Sequence, residues 1–352
     1  MATENTTTIY EEVRKHYSAA SRSVSTKYGE AVAKSFGYTA EELAAIPAEA
    51  NLGLSCGNPL AIASVKEGET IIDLGSGAGF DVFLAAKRVG ANGKAIGVDM
   101  NDDMLERARK ILESQPEEVK KVVSFVKSNI TDMSSVLEDG VADCVISNCV
   151  INLVPAAEKP KVFKEMYRVL KHGGRVAVSD ILAKQDLPEQ LVKDVAMYVG
   201  CIAGASKVEE YETWLKEAGF KDVLIIDTKS DLNVYVEIGE DGEKKRSTEA
   251  KNDLCCGQNL QNCALIPAAS EESGGCCGAN KAEPAFQKQG EGCCKMSAGV
   301  SSSAGCCGAP SSSSPAPSGC CGVPVPAGLA ESLSKTDLNE YVGSFKIYAL
   351  KG

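Results

Sequence analysis

The sequence predicts an α/β protein: a doubly wound, mostly parallel sheet that closes with a final antiparallel strand and carries a flexible Cys-rich insertion. Three observations predict it. Short apolar segments alternate with amphipathic ones through residues 71–228, the rhythm of a parallel sheet covered on both faces. Near residue 240 the composition changes abruptly, and Gly, Ser, Pro, Ala and Cys dominate to about residue 330, with too little apolar surface to offset chain ordering. After that stretch, residues 344–350 alternate like a strand. A lone strand is not stable by itself, so this one is expected to return to the main sheet.

The elements follow in order. Residues 9–20 read as a short amphipathic helix. Ile71-Ile72-Asp73-Leu74 is a first strand that runs into Gly75-Ser76-Gly77-Ala78-Gly79, and a helix follows over 80–89. Residues 94–98 form a second strand ending at Asp99. Asn101 is the expected N-cap of the next helix, whose Met104, Leu105, Ala108, Ile111 and Leu112 make one apolar stripe. Residues 122–126 are a third strand; 142–147, nearly all apolar, are a fourth, covered on both faces. The helix over 158–170 is expected to end at Gly173-Gly174, with His172 in its C-terminal cap, and a fifth strand spans 175–178. A helix over 207–219 and a strand over 221–228 complete the series. The expected division is a helical N-terminal cap segment (1–60), the sheet domain (61–238), the flexible insertion (239–331) and a C-terminal segment that returns a strand (332–352).

Composition narrows the function. The chain has 352 residues, 44% hydrophobic and 24% charged, with a net charge of −11. So acidic a chain is poorly suited to nucleic acid, which needs basic clusters to neutralise phosphates. The one tight basic run, Lys244-Lys245-Arg246, reads as a solvated linker. No apolar stretch approaches the roughly 20 residues of a membrane span. The opening MATENTTTIYEEVRKHY lacks the apolar core of a secretory signal, so a cytoplasmic protein is expected, with neither nucleic acid nor membrane as partner.

Cysteine is the anomaly. There are fifteen, against two histidines, and no C-x-x-C spacing occurs. An odd count without a signal sequence argues against a secreted disulfide framework, and the missing spacing against zinc ribbons. Many thiols in reducing conditions suit a soft metal or metalloid. Eleven of the fifteen lie between 255 and 321, ten of them as adjacent pairs: Cys255-Cys256, Cys276-Cys277, Cys293-Cys294, Cys306-Cys307 and Cys320-Cys321.

The glycine loop marks a nucleotide-type site at the carboxyl edge of the sheet. A dinucleotide fingerprint needs Gly or Ala at position 80, where Phe80 stands, and no P-loop sequence occurs. The segment 71–79 instead resembles motif I of class I S-adenosylmethionine-dependent methyltransferases. The resemblance implies that Asp73, Gly75, Ser76, Gly77 and Gly79 cradle the methionine part and the ribose, and that Asp99 and Met100 follow at the second strand's end. Asp99, 24 residues after Gly75, can accept hydrogen bonds from both ribose hydroxyls; the alternative is a solvent-exposed cap of the next helix. Asn129 and Ile130 fall where that family contacts adenine.

Four cysteines precede residue 240. Cys144 lies inside the fourth strand and reads as a small core residue. Cys149 lies just past that strand's carboxyl end, where substrate meets cofactor in an open parallel sheet. Cys201 sits in a glycine-flanked break, and Cys56 in a turn-rich approach to the first strand. Each of these three also reads as a buried thiol; around one sheet edge they can converge on one substrate.

The segments LGLSCGNP, DLGSGAGFD, SNCVINLVP, YRVLKHGG and VGCIAGA resemble arsenite methyltransferases over residues 7–228 and again 332–351. The resemblance implies a Rossmann-like methyltransferase sheet and methyl transfer from S-adenosylmethionine to trivalent arsenic. Cys149 and Cys201 would be the arsenic-binding thiolates and Cys56 a third, redox-active thiol. Arsenite and methylated arsenicals would be the substrates, with glutathione, another small thiol or thioredoxin as reductant. The ten paired cysteines are candidate auxiliary arsenic ligands. The chain departs from the family in having no cysteine before Cys56 and in its long Cys-pair insertion. Two other readings compete: a methyltransferase acting on another small molecule, and a thiol-rich protein that sequesters metalloids.

Overall fold

A computed structural model describes residues 2–22, 26–188, 201–237, 241, 243 and 337–352. The ten paired cysteines of the expected insertion lie outside them. Four helices come first: α1 (Ala2–Ala20), α2 (Thr26–Ser35), α3 (Ala40–Ala44) and α4 (Leu60–Ala63). The alternating part follows as β1 (Thr70–Leu74), α5 (Phe80–Val89), β2 (Lys94–Asp99), α6 (Asp102–Glu113), α7 (Glu117–Val122), β3 (Val123–Lys127) and β4 (Ala142–Asn148). Then come α8 (Lys159–Val169), β5 (Leu170–Ala183), α9 (Val208–Ala218), β6 (Phe220–Asp227), α10 (Val234–Glu237) and β7 (Val342–Lys351).

The seven strands form one sheet in the order β3-β2-β1-β4-β5-β7-β6. The first five are mutually parallel. β7 runs antiparallel between β5 and β6, pairing from Arg175↔Leu350 to Ala183↔Val342 on one side. The expected return of the last strand is therefore realised, and β7 sits inside the sheet. Two apolar clusters cover its faces. One gathers Val82, Phe83 and Leu84 of α5 with Leu105, Ala108 and Ile111 of α6 against Ile71, Ala95, Cys144 and Ile146. The other gathers Val162, Phe163 and Met166 of α8 and Tyr211 and Leu215 of α9 against Ile72, Val145, Val176 and Ile347. Strand residues alternate between the two clusters, as the period of a strand requires. No helix among the described residues is long and apolar enough to cross a membrane.

Two expectations need correction. The helix expected over 158–170 stops at Val169, and the fifth strand already begins at Leu170 instead of 175 and runs to Ala183. Leu170 is fully buried and pairs with Ala142; the register then shifts, so that Cys144 faces Arg175. The intervening Gly173 takes φ +78°, a left-handed conformation glycine adopts without strain. His172 consequently lies exposed within β5 and caps no helix. The third strand starts at Val123 because α7, a helix opened by Pro116 and two glutamates, claims Val122.

Because β7 is interior, removing it separates β6 from the sheet and exposes β5. Val342, Phe345 and Ile347 are buried, and burial is worth about 1.5–3 kcal/mol for each such side chain. Set against a typical domain stability of about 5–15 kcal/mol, deletion of residues 342–352 should abolish cooperative folding or lower the melting temperature steeply by circular dichroism. A truncated chain that melts with the full one contradicts this topology.

Candidate active site

The strand order reverses direction between β1 and β4. At such a switch point the loops after two neighbouring strands diverge to opposite faces and leave a crevice at the carboxyl edge. Here the two loops carry Gly75-Ser76-Gly77 and Cys149-Val150. The N–H groups of Gly75 and Ser76 both donate to Val98 O (2.7 and 3.0 Å), folding the first loop back over β2. Gly75 has φ +67°, and a Cβ there would lie 2.5 Å from the Val150 methyls. Gly79 (φ +92°) has no room either, since its Cβ would meet Phe125 at 2.7 Å; it precedes α5 and does not line the cleft.

The cleft at this edge is lined mostly by apolar side chains with a few convergent polar groups, the make-up of a small-molecule site. Asp73, Gly75, Ser76, Gly77, Asp99, Met100, Asn129, Ile130 and Cys149 all line it. Cys56 and Cys201 adjoin it without lining it. The carboxylate of Asp99 accepts from Gly77 N–H and Asn101 N–H, each at 2.8 Å. A carboxylate offers about four lone-pair positions, so accepting capacity remains for a ligand. Burial pushes its pKa up, against these backbone donors and that of Met100. The helix cap is Asn101, whose side chain accepts from Asp103 and Met104 N–H, so Asp99 is not the cap. Asp73 is pushed well up by burial and then by the neighbouring charges of Asp81 and Asp99. Among the described residues Ser76 Oγ is buried without a hydrogen-bond partner, a polar atom left for a ligand.

Helix α1 roofs the cleft with Tyr10, Val13, Arg14 and Tyr17, which its amphipathic pattern did not single out. It is tied down by Asn101 Nδ2, which donates to Arg14 O (2.9 Å), and by Tyr10 Oη, which donates to Glu158 Oε2 (2.6 Å). Burial, reinforced by Glu158, pushes the Tyr10 phenol up to about 12.

The thiols fall into two groups. Cys144 is enclosed in the sheet core, where burial pushes its pKa up to about 12, an inert thiol. Cys56, Cys149 and Cys201 instead share a third apolar cluster with Val13, Val32, Ile181 and Ile202. Cys56 and Cys149 are joined as a disulfide with a Cα–Cα distance of 5.7 Å. Cys201 Sγ donates to Cys149 O at 2.7 Å. The Sγ atoms of Cys56 and Cys149 and a carboxylate oxygen of the buried Asp180 lie within 4.8 Å of one another. Cys149 and Cys201 have φ of +61° and +65°, a conformation that costs a non-glycine residue about 1–3 kcal/mol and recurs at functional sites.

Neighbouring polar groups hold these loops. Asn148, the last residue of β4, accepts from Cys56 N–H (3.3 Å) and donates to Gly57 O and Asp81 Oδ2 (both 2.9 Å). Burial raises Asp81 to about 6, opposed by its bonds from Asn148 and Tyr38. Cys149 N–H donates to Ser179 O (2.9 Å) and Ser344 Oγ to Cys56 O (2.6 Å). On the Cys201 side, Asn152 Nδ2 donates to Cys201 O (3.2 Å). The buried Lys159 donates to Gly204 O (2.5 Å) and Ser206 Oγ (2.8 Å). Burial lowers Lys159 to about 8 and raises Asp180 to about 6. Asn148, Asn152, Lys159 and Asp180 escaped the sequence reading. A polar residue one or three positions from Cys149, at or just past the strand end, is the signal that was available for the two asparagines.

Residues 65–219 match a family model described as a methyltransferase domain. The arsenite methyltransferase of Halobacterium salinarum is 46% identical over 189 residues, covering 54% of this chain and 46% of that protein. The arsenite methyltransferase of Homo sapiens is 37% identical over 158 residues, covering 43% of this chain and 40% of that protein. The chain thus spans about half the length of the curated relatives it matches. A crystal structure of an arsenic(III) S-adenosylmethionine methyltransferase from Chlamydomonas reinhardtii is 30% identical, with 58% of this chain and 68% of that chain covered and a TM-score of 0.42.

The glycine loop is testable by its sterics. Gly75→Ala adds a Cβ at positive φ and presses on Val150, so it should destabilise the protein by about 2 kcal/mol in urea unfolding. A variant of unchanged stability contradicts the described approach of the two loops.

Proposed function

From a chain that carries a methyltransferase domain and is related to arsenite methyltransferases, we propose an enzyme that transfers methyl groups from S-adenosylmethionine to thiolate-bound trivalent arsenic. One observation carries the reading: Cys56, Cys149 and Cys201 share one buried cluster at the sheet edge where the glycine-loop cleft opens.

The cleft fits S-adenosylmethionine. The loop 75–79 admits no side chain at Gly75, Ser76 Oγ is unpartnered among the described residues, and Asp99 keeps lone pairs for ribose hydroxyls. Met100, Asn129 and Ile130 supply the wall for the base. When bound, the group supplies an electrophilic methyl on a sulfonium sulfur. Asp99 and the glycine loop orient it, and α1 excludes water from above.

The thiols take the substrate. The Cys56–Cys149 disulfide must first be opened: two molecules of glutathione, or one dithiol such as thioredoxin, supply two electrons and two protons and leave as disulfide. Arsenite then exchanges hydroxide for thiolate, each thiol proton leaving with a hydroxide as water. Arsenic is soft and prefers sulfur to oxygen. Bound through sulfur it keeps its lone pair, which takes the methyl carbon as the carbon–sulfonium bond breaks and S-adenosylhomocysteine leaves. No proton leaves the nucleophile, so no general base is needed. The arsenic, formally oxidised by two electrons, returns to the trivalent state when a further thiolate removes one bound sulfur as disulfide. Proximity does the remaining work, with reacting atoms held at about 3–3.5 Å. A cytoplasmic, reducing compartment suits thiols that must be regenerated. The proposed division remains 1–60, 61–238, 239–331 and 332–352, with the paired cysteines of the third segment as auxiliary arsenic ligands.

Incubation with labelled S-adenosylmethionine, arsenite and glutathione, followed by chromatography of the arsenic species, tests the activity. Methylated arsenicals are the expected product; label confined to S-adenosylmethionine refutes it. Cys149→Ser and Cys201→Ser should each abolish methylation while leaving cofactor affinity intact, because serine is a hard ligand for arsenic; Cys144→Ser should stay active. Cys56→Ser should lose methylation of arsenite and retain some with a monomethylated arsenical, which has fewer ligands to replace. Robust turnover of arsenite by the Cys149 or Cys201 variant removes the thiolate site from consideration. Asp99→Ala should weaken S-adenosylmethionine binding by about 1.5–3 kcal/mol in calorimetry, the range for a hydrogen bond to a charged group; unchanged affinity would mean that Asp99 does not hold the ribose.

A further inference from the structure

Asp180 is a buried carboxylate that the methyl-transfer reading does not use. It lies on β5 with no exposed surface. Its Oδ1 accepts from Ile181 N–H (2.9 Å) and Asn152 Nδ2 (3.0 Å), and its Oδ2 from Tyr211 Oη (2.9 Å). Among the described residues no lysine or arginine lies within ion-pair distance of it. Lys159, the buried lysine nearby, donates instead to Gly204 O and Ser206 Oγ. Buried carboxylates are ordinarily paired with a cation or ligate a metal. Here Lys159 acts on Asp180 only through its charge, without ion-pair contact, and the groups able to share an ion with it are two sulfurs, Cys56 Sγ and Cys149 Sγ, within 4.8 Å.

We propose that the reduced Cys56–Cys149 pair and Asp180 form a binding site for a divalent d10 cation of the zinc class, which competes with arsenite for the same two thiols. The competition, but not the site, rests on the proposed arsenic chemistry. Two thiolates and one carboxylate from three separate segments are a donor set zinc accepts, leaving a fourth tetrahedral position for water. Arsenic differs: it takes sulfur and has little use for a carboxylate oxygen. Asn152, Tyr211 and the Ile181 N–H orient the carboxylate as outer partners orient metal ligands. Loading balances simply. Reduction by a phosphine turns the disulfide into two thiols as the phosphine takes up oxygen from water. The cation then displaces two thiol protons.

The test uses the full-length chain with its eleven cysteines between 255 and 321 changed to serine, reduced with a phosphine under anaerobic conditions, with Co2+ as visible probe. The proposal expects one Co2+ per chain, thiolate-to-cobalt charge-transfer absorption, displacement by Zn2+, and no uptake before reduction. Cys56→Ser should remove one thiolate's share of that absorption, and Asp180→Asn should weaken Co2+ binding at least about tenfold. Absence of the charge-transfer band, equal uptake by the oxidised protein, or wild-type affinity in Asp180→Asn overturns the site. If Asp180→Asn does not fold, Tyr211→Phe takes its place: loss of an outer partner should weaken binding about tenfold, and unchanged affinity again overturns it. Arsenite should release the bound Co2+ mole for mole. Cobalt that binds as expected but resists arsenite upholds the metal site and overturns the shared-thiol reading.

Discussion

The side-chain amide of Asn148 is the interaction on which the site depends. It stands at the last position of β4, where the parallel ladder ends and the strand's own hydrogen bonds run out. Its oxygen accepts from Cys56 N–H, and its nitrogen donates to Gly57 O and Asp81 Oδ2. The segment around Cys56 precedes β1 and shares no ladder with β4, so these side-chain bonds, with Ser344 Oγ→Cys56 O and Tyr235 Oη→Ser55 O, help bring it to the carboxyl edge. Once there, Cys56 reaches Cys149, the residue after Asn148. The same amide joins the thiol side to the glycine-loop side, because Asp81 lies in the first turn of α5.

The site is unusual in the company its polar groups keep. Three cysteines lie in an apolar cluster, while Asp73, Asp81, Asp99, Lys159 and Asp180 are all buried around it. Burial of a polar group costs free energy unless it is hydrogen-bonded, and two of these groups are bonded to backbone at the loops that carry function. Lys159 holds the 204–206 turn and Asp99 holds Gly77. Such bonds also offset the strain of positive φ at Cys149 and Cys201. Fold stability and site geometry therefore rest on the same buried contacts, and the thiols are aimed by the backbone instead of by mobile side chains.

Much of this was legible in the sequence. The strand–helix rhythm gives the sheet, the Gly75–Gly79 turn locates the crevice, and the position of Cys149 past an apolar strand puts a thiol beside it. The returning strand 344–350 was legible because an alternating segment needs a sheet. Its place between β5 and β6 was not, since pairing order depends on tertiary contacts. The start of β5 was misread because the Gly173-Gly174 pair looks like a helix end, whereas Leu170 is drawn into the core and the glycines absorb the register shift. Asp180 and Lys159 were illegible for a different reason: a lone charged residue in a sequence carries no mark of burial. The partnership of Cys56 with Cys149, 93 residues apart, likewise depends on where two loops meet in space.

Three thiols at one sheet edge are proposed to hold arsenic beside the glycine-loop cleft. X-ray absorption at the arsenic edge tests it most directly, using the reduced full-length chain with the cysteines between 255 and 321 changed to serine and one arsenite per chain. The account predicts arsenic bound by three sulfurs and no oxygen, falling to fewer sulfurs when Cys56, Cys149 or Cys201 is replaced by serine. Arsenic that retains oxygen ligands in the unsubstituted site, or a sulfur count indifferent to those replacements, contradicts it.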